Sequence, residues 1–412
     1  MPNNSVLVVG GGFSGITAAL EAAEVGHEVF LVEKTPFLGG RVSQLNKYFP
    51  KLCPPSCGLE IQFQRIKKNP LVKIFTLAEV VSVSGSKGDY TVTVKIKPRY
   101  TAPNSVDLSE AAGELTASTP SDFEFGIGKR KPLHMDMPFA YPSRYVLEKG
   151  ECSKAELEEL AEVDGINLED EERTVDLSVG SIVVATGWKP YDMSKLTNLG
   201  AGQLVNCVSN MQMERMASAS GPTGGQIVRP SDGKAPKRVA FVQCAGSRDE
   251  NHLNYCSYIC CMASLKQATY VREQHPDCQV TIFYIDLRTP DRYQKFRNRV
   301  LEDENIHTVK GKVADAVQGE NGSVILTVED AVAGTKSHET FDMVVLATGM
   351  QPTLSEEQLP FDVSVDEDGF AAGNEEKGIF VAGCAKKPLD VMKSAQSGTG
   401  AAMKAIQTVR GR

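Results

Sequence analysis

No part of the 412-residue chain holds an unbroken apolar run of the ~20 residues that a membrane helix needs. A direct membrane span is therefore not expected. An excess of basic residues is also missing. Lys and Arg total 44 against 52 Asp and Glu, a net charge of -8, and this balance argues against nucleic acid as a partner. No basic segment followed by an apolar one precedes the glycines that begin at Gly10, so no secretory signal is expected and the cytoplasm is the default. Ten cysteines are too few for a disulfide scaffold in a chain of this length. Several are clustered, and in a reducing compartment clustered cysteines read as metal ligands or redox centres. None of the six histidines has metal-ligating spacing, and no His/acid arrangement marks a proton-transfer catalyst. The length suits two domains with room for an insertion, and a hydrophobic content of 41% is ordinary for a globular protein.

What is present begins at Val6–Lys34, VLVVGGGFSGITAALEAAEVGHEVFLVEK. Val6–Val9 reads as a buried strand, and Gly10, Gly12 and Gly15 follow as G-x-G-x-x-G. A helical pattern runs from Ile16 to about Val25, and a second apolar strand, Val29–Val32, ends on Glu33. Each glycine has a physical reason. Gly10 permits the tight turn, Gly12 lets backbone approach a pyrophosphate, and Gly15 lets helix pack close on strand. The helix start, with Phe13 and Ser14, then directs free N–H groups at phosphate. Glu33 lies eighteen residues after Gly15, where a carboxylate can accept hydrogen bonds from ribose hydroxyls. The combination predicts a dinucleotide site.

Lys34 opens a run that ends in Leu38-Gly39-Gly40-Arg41. This run resembles the second pyrophosphate contact of two-dinucleotide-domain flavoproteins, with Gly40 allowing close approach and Arg41 able to neutralise phosphate. The pairing favours FAD over NAD. Cys53-Pro-Pro-Ser-Cys57 follows as a C-x3-C pair. It suits a redox dithiol or a pair of cluster ligands, with a merely structural pair as the alternative. Leu71–Ile96 alternates as strands do and resembles the meander that closes an FAD domain, placing Val80 where that family contacts adenine through backbone atoms.

Residues 98–173 break the pattern with prolines and Ser/Thr runs. Ser153-x-x-Glu156 is a capping box that should open a short helix to about Val163. From Glu151 to Asp176 there are eleven acids and two bases, which reads as a solvated face or a docking surface for a basic partner. Val179–Gly187 ends in Ala185-Thr186-Gly187, and Asp342–Gly349 repeats the Ala-Thr-Gly ending. Such strands mark the crossings between domains in two-dinucleotide flavoproteins. The expected division is an FAD domain (1–97, 174–190 and 340–412), an irregular acidic insertion (98–173), and a second Rossmann-like domain (191–339).

In that second domain the strand Val239–Val242 leads into Gln243-Cys244-Ala245-Gly246 rather than a three-glycine turn. The fold should survive there while the NAD(P)H site is lost. In its place stands Cys244-x11-Cys256-x3-Cys260-Cys261. Four thiolates at this spacing suit a [4Fe–4S] cluster, which prefers soft sulfur ligands shielded from water. Zinc, or buried core cysteines with a stray, is the plainer alternative. Gly378–Ala385 is an apolar strand ending in Ala382-Gly383-Cys384, where flavoproteins usually carry Ala-Gly-Asp. Asp390, Val391 and Ser394 follow at the start of a helix whose N-terminus should face the flavin.

Gln243–Asp249, Tyr255–Met262, the Cys53/Cys57 pair and Val381–Ala385 with Pro388–Val391 together resemble the A subunits of heterodisulfide reductases. The methanogen subunits carry ferredoxin-type C-x2-C-x2-C-x3-C-P insertions, and this chain has none. A short form of this kind resembles the A subunits of the quinone-interacting membrane-bound oxidoreductase complexes of sulfate reducers. The resemblance implies an α/β two-dinucleotide-binding-domain flavoprotein, thioredoxin reductase-like in fold, with FAD and a [4Fe–4S] cluster. The partners it implies are a related flavin/iron–sulfur subunit, plus a membrane haem subunit. It further implies electron exchange with adenylylsulfate reductase in sulfate reduction. Membrane association would then come through those partners. The alternatives are a stand-alone NAD(P)H-dependent disulfide oxidoreductase using Cys53/Cys57, and an assembly subunit that holds FAD for stability only.

Overall fold

The computed structural model describes residues 3–103 and 106–411. The chain divides into two compact units, Met1–Trp188 with Pro352–Arg412, and Lys189–Gln351.

The first unit is built on a five-stranded parallel sheet in the order Ile379–Val381, Ser181–Val184, Val6–Val9, Val29–Val32, Val72–Phe75. All three of the strands Val6–Val9, Val29–Val32 and Ser181–Val184 are buried on both faces, as unbroken apolar runs in a parallel sheet require. Side chains alternate between two cores. Val6, Val8, Val29 and Leu31 pack with the helices Phe13–Glu24 and Val391–Val409 on one face. Leu7, Val9, Phe30 and Val32 pack on the other with Tyr90, Val92 and Val94. These last belong to an antiparallel meander of Ala78–Ser86, Asp89–Ile96 and Arg173–Val179. The first helix begins at Phe13, three residues earlier than its apolar period suggests.

Residues 98–173 have a small core of their own, in which Leu108, Leu115, Leu133, Leu147 and Leu160 are buried together. The capping box forms: the Ser153 hydroxyl accepts from the Glu156 N–H at 3.3 Å, and the Glu156 carboxylate accepts from the Ser153 N–H at 2.8 Å. Its helix spans Lys154–Ala161. The buried Arg99 guanidinium ties the segment to the rest of the first unit, donating to the Arg144 carbonyl at 3.1 Å, the Thr76 hydroxyl at 3.0 Å and the Pro36 carbonyl.

The second unit holds a seven-stranded sheet ordered Cys207–Ser209, Met343–Thr348, Arg238–Ala245, Gln279–Tyr284, Ile306–Gln318, Val324–Asp330, Thr335–Phe341. The first five are parallel and the last two run antiparallel as hairpins. The helix Cys260–Gln274 follows the strand Arg238–Ala245, as in a Rossmann unit. Among the described residues, no helix is long and apolar enough to cross a membrane.

Candidate functional site

Backbone meets backbone at the glycines of the first unit. Gly10 sits at φ +109°, and a Cβ there would stand 2.3 Å from the Ala185 carbonyl oxygen. One at Gly15 would stand 1.9 Å from the Gly10 oxygen. Both positions therefore require glycine for packing. Gly12 differs: a Cβ there would meet only the Gly40 Cα, at 3.9 Å. The loop of Gly39 and Gly40 closes over this turn, with the Gly39 N–H donating to the Gly11 carbonyl at 2.9 Å. Turn and loop thus meet backbone to backbone, since a Cβ on Gly40 would stand 2.9 Å from the Gly12 Cα.

Glu33 is buried, and its carboxylate holds the turn itself. It accepts from the Gly11 N–H at 2.6 Å and from the Thr35 N–H and hydroxyl at 2.8 Å each. Arg41 is half-buried and donates to the Trp188 carbonyl at 3.2 Å and the Gln44 side chain at 3.0 Å. Burial lowers its pKa, and the Glu33 charge opposes that shift. Lys34 points elsewhere: its ammonium pairs with the Glu357 carboxylate at 2.7 Å on the surface. Val80 lies half-buried on the meander strand, paired with Val94.

Thr186 supplies the test of whether a polar ligand fits. Its hydroxyl is buried and has no hydrogen-bond partner, and its N–H lies 3.2 Å from where a Gly10 Cβ would stand. A buried hydroxyl left unpaired beside a glycine turn costs free energy, and phosphate or ribose oxygens would satisfy it. Gly187 follows at φ +72°. At the C-terminal end, Gly383 (φ +64°) brings its α-carbon against Ser14, since a Cβ there would stand 2.3 Å from the Ser14 hydroxyl. The Asp390 carboxylate caps the helix Val391–Val409, accepting from the Lys393 N–H at 2.7 Å. The Cys384 thiol is buried, lies 3.5 Å from the Leu389 carbonyl and 3.6 Å from the Ser394 hydroxyl, and is pushed up by burial. These residues fit FAD as a backbone cradle with few charged contacts.

Cys53 and Cys57 flank the start of the helix Ser56–Lys68. Their side chains lie within hydrogen-bonding reach, and this contact holds the exposed Cys57 thiol above its ordinary pKa. The Tyr48 hydroxyl lies against the same turn, in space that only Gly58 leaves open.

In the second unit, the strand Arg238–Ala245 bulges between Val242 and Ala245, and Cys244 takes a left-handed conformation at φ +55°. Cys260 and Cys261 open the helix Cys260–Gln274 and are buried. The Cys260 thiol lies 3.8 Å from the Thr348 carbonyl and that of Cys261 3.4 Å from the Asp286 carbonyl. Cys256 sits in the intervening loop, its sulfur accepting from the Tyr258 N–H at 3.4 Å. The loop rests on Gly349, where a Cβ would stand 2.3 Å from the Ser247 hydroxyl and 2.9 Å from that of Ser257. Burial drives the Cys260 thiol well up, and the Cys244, Cys261 and Cys256 thiols add to the effect. Burial also raises Cys261 to about 11 and Cys244 in the same direction, with the Arg248 guanidinium pulling Cys244 down. Arg248 and Arg288 both pair with Asp286, at 3.0 and 3.3 Å, and Arg288 also reaches Cys256.

The four thiols are near enough to feel one another's charge. Even so, no three His, Cys, Asp or Glu side chains among the described residues converge tightly enough to grip a single metal ion. Thiols are the soft donors that zinc and iron–sulfur clusters both take. Reading the sequence did not reveal the bulge residue Gln243 and the helix residue Ser264 as buried polar groups without partners, nor the two arginines. The Gln-Cys-Ala-Gly-Ser-Arg run singled out Gln243 and Arg248 alone, and Ser264 and Arg288 lie outside it.

Residues 5–53 match the family model described as FAD dependent oxidoreductase. The chain is similar to the second A-type iron-sulfur subunit of the CoB–CoM heterodisulfide reductase of Methanopyrus kandleri, 38% identical over 97% of this chain and 63% of that protein. It is also similar to the A subunit of the H(2):CoB-CoM heterodisulfide,ferredoxin reductase of Methanothermobacter thermautotrophicus, 34% identical over 99% of this chain and 64% of that protein. The chain thus spans a little under two thirds of the length of these relatives. In fold it is similar to thioredoxin reductase of T. acidophilum (TM-score 0.53, 14% identity, 99% of this chain and 97% of that one). The bacillithiol disulfide reductase Bdr of Bacillus cereus is similar to the same degree (TM-score 0.53, 14% identity, 99% of each chain). The architecture is that of the two-dinucleotide-binding flavoproteins.

Proposed function

We propose, from its similarity over nearly its whole length to heterodisulfide reductase A subunits, that the chain is a flavoprotein of that family and the FAD- and iron–sulfur-bearing electron-transfer component of a multi-subunit oxidoreductase. When bound, FAD exchanges electron pairs for single electrons and a [4Fe–4S] cluster carries single electrons. Gly10, Gly12, Gly15, Gly40 and Gly383 let the backbone close around the dinucleotide. Glu33 fixes the turn through Gly11 while keeping lone pairs for ribose, Arg41 supplies charge, and the N–H groups that begin at Val391 supply the positive end of a helix. Cys244, Cys256, Cys260 and Cys261 hold the cluster and must lose their protons to do so, which the flanking Arg248 and Arg288 favour.

One observation carries this reading: the strand that should feed a nicotinamide-binding glycine turn instead bulges at Cys244, close enough to Cys260 and Cys261 at the start of the following helix for the thiols to interact electrostatically. The complex we assign is the quinone-linked type of sulfate reducers. Its other members are a membrane haem subunit, plus a related flavin/iron–sulfur subunit, with adenylylsulfate reductase as the electron-exchange partner. The adjacency of Cys53 and Cys57 is the observation that favours the second reading, a disulfide oxidoreductase fed by NAD(P)H. Stopped-flow mixing of the anaerobic protein with NADPH separates the two. Our reading expects no flavin reduction at a catalytic rate, and fast reduction favours the alternative. Reduction of the purified complex's flavin by adenylylsulfate reductase is the matching positive result.

A further inference from the structure

The Gln243 side chain is 6% exposed, and both its amide nitrogen and its amide oxygen are buried without a hydrogen-bond partner. The Ser264 hydroxyl is in the same condition in a residue that is fully buried. Buried amides and hydroxyls are almost always paired, because leaving them dry forfeits hydration for nothing in return. Two such groups at one end of one unit call for a missing partner.

Their placement says where that partner lies. Gln243 precedes Cys244 inside the bulge between Val242 and Ala245, opposite the end of the strand Met343–Thr348. That strand's last residue, Thr348, faces the Cys260 thiol through its carbonyl. Ala240 and Val242 pack in a cluster to which no residue of the helix Cys260–Gln274 contributes. Counted as far as Val242, ahead of the bulge, strand alternation assigns Gln243 to the other face, the one the helix covers, and Gln243 also lines a cavity with Cys244 and Arg248. Ser264 lies on that helix four residues after Cys260 and three after Cys261, on the same side, and helical side chains tilt back toward the N-terminus. Gln243 adjoins Cys244 on the strand, and Ser264 lies about one turn after Cys260 on the helix.

We propose that Gln243 and Ser264 are positioning residues that donate hydrogen bonds to the sulfur atoms of the centre held by Cys244, Cys256, Cys260 and Cys261, and that they set its reduction potential. The proposal rests on the iron–sulfur reading of those cysteines. Donors aimed at sulfur disperse the negative charge that reduction adds, so they favour the reduced form and raise the potential.

The test is an EPR-monitored redox titration of the anaerobically purified complex, with iron content measured on each sample, for the parent protein, Gln243→Leu and Ser264→Ala. Ser264→Ala removes one oxygen and leaves the packing nearly unchanged. The expected result is parental iron content with the midpoint moved to a more negative potential in each variant. Parental iron with both midpoints unmoved overturns the proposal while leaving the cluster assignment intact. A parent complex without iron overturns the cluster assignment itself. Should Gln243→Leu lose its iron, Ser264→Ala decides alone: a negative shift supports the proposal and an unmoved midpoint overturns it.

Discussion

Gly10 and Gly15 are in direct backbone contact: a Cβ built on Gly15 stands 1.9 Å from the Gly10 carbonyl oxygen. The first helix can dock on its preceding strand only because Gly15 carries no side chain. Gly15→Ala is expected to push the helix off the turn, at about 1–3 kcal/mol as for other overpacked sites. Flavin should dissociate during purification, and thermal denaturation should begin at a lower temperature. Retention of flavin at the parental ratio would show that the turn can move aside.

The capping box at Ser153 makes stability depend on pH. The Glu156 carboxylate accepts from the N–H groups of Ala117 and Ser153, and these hold it down at about 2 against an ordinary 4.5. Its folded pKa is depressed, so its contribution to stability is complete above about 4.5 and is lost as pH falls toward 2. Ser153→Ala should cost about 1 kcal/mol at neutral pH. Glu156→Gln should melt lower than the parent at pH 7, with the difference shrinking as the pH is lowered. Parallel melting curves from pH 7 to pH 3 would contradict this.

These two sites show what could be read along the chain and what could not. Val6–Glu33 is legible because strand, turn, helix and strand follow one another, and each glycine has a local reason. The capping box is legible for the same reason, since its two partners are three residues apart. The Ala-Thr-Gly strands at Ser181–Val184 and Met343–Thr348 declared themselves by repetition. What depends on distant partners was hidden. Lys34 follows Glu33 at the head of the run that ends in Gly39-Gly40-Arg41, yet its ammonium pairs with Glu357, which lies 323 residues away. The acidic insertion looks irregular because its leucines follow no single period, but they meet across short strands and helices into one core. No pattern announces that Thr186 and Gln243 are buried without partners, because burial is a property of the finished packing.

Thiol reactivity should sort the cysteines by environment. Cys57 is exposed, whereas burial pushes Cys207 and Cys278 up to about 12. Brief alkylation of the native protein, read by peptide mass spectrometry, should label Cys57 and leave Cys207 and Cys278 unlabelled. The neighbouring Cys53 thiol is the main cause of the raised pKa of Cys57. In Cys53→Ser the pH profile for alkylation of Cys57 should therefore shift to lower pH. An unchanged profile would mean that the two thiols are not in contact.

The central claim is that the second unit has exchanged a nucleotide for a centre held by sulfur. Its most direct test is iron and acid-labile sulfide content with low-temperature EPR, on the anaerobically purified complex and on Cys260→Ser. The account predicts about four irons assignable to this chain, as a [4Fe–4S] cluster requires, and their loss in the variant. An intact parent complex without that iron, or a Cys260→Ser variant that keeps both the iron and the spectrum, would contradict it.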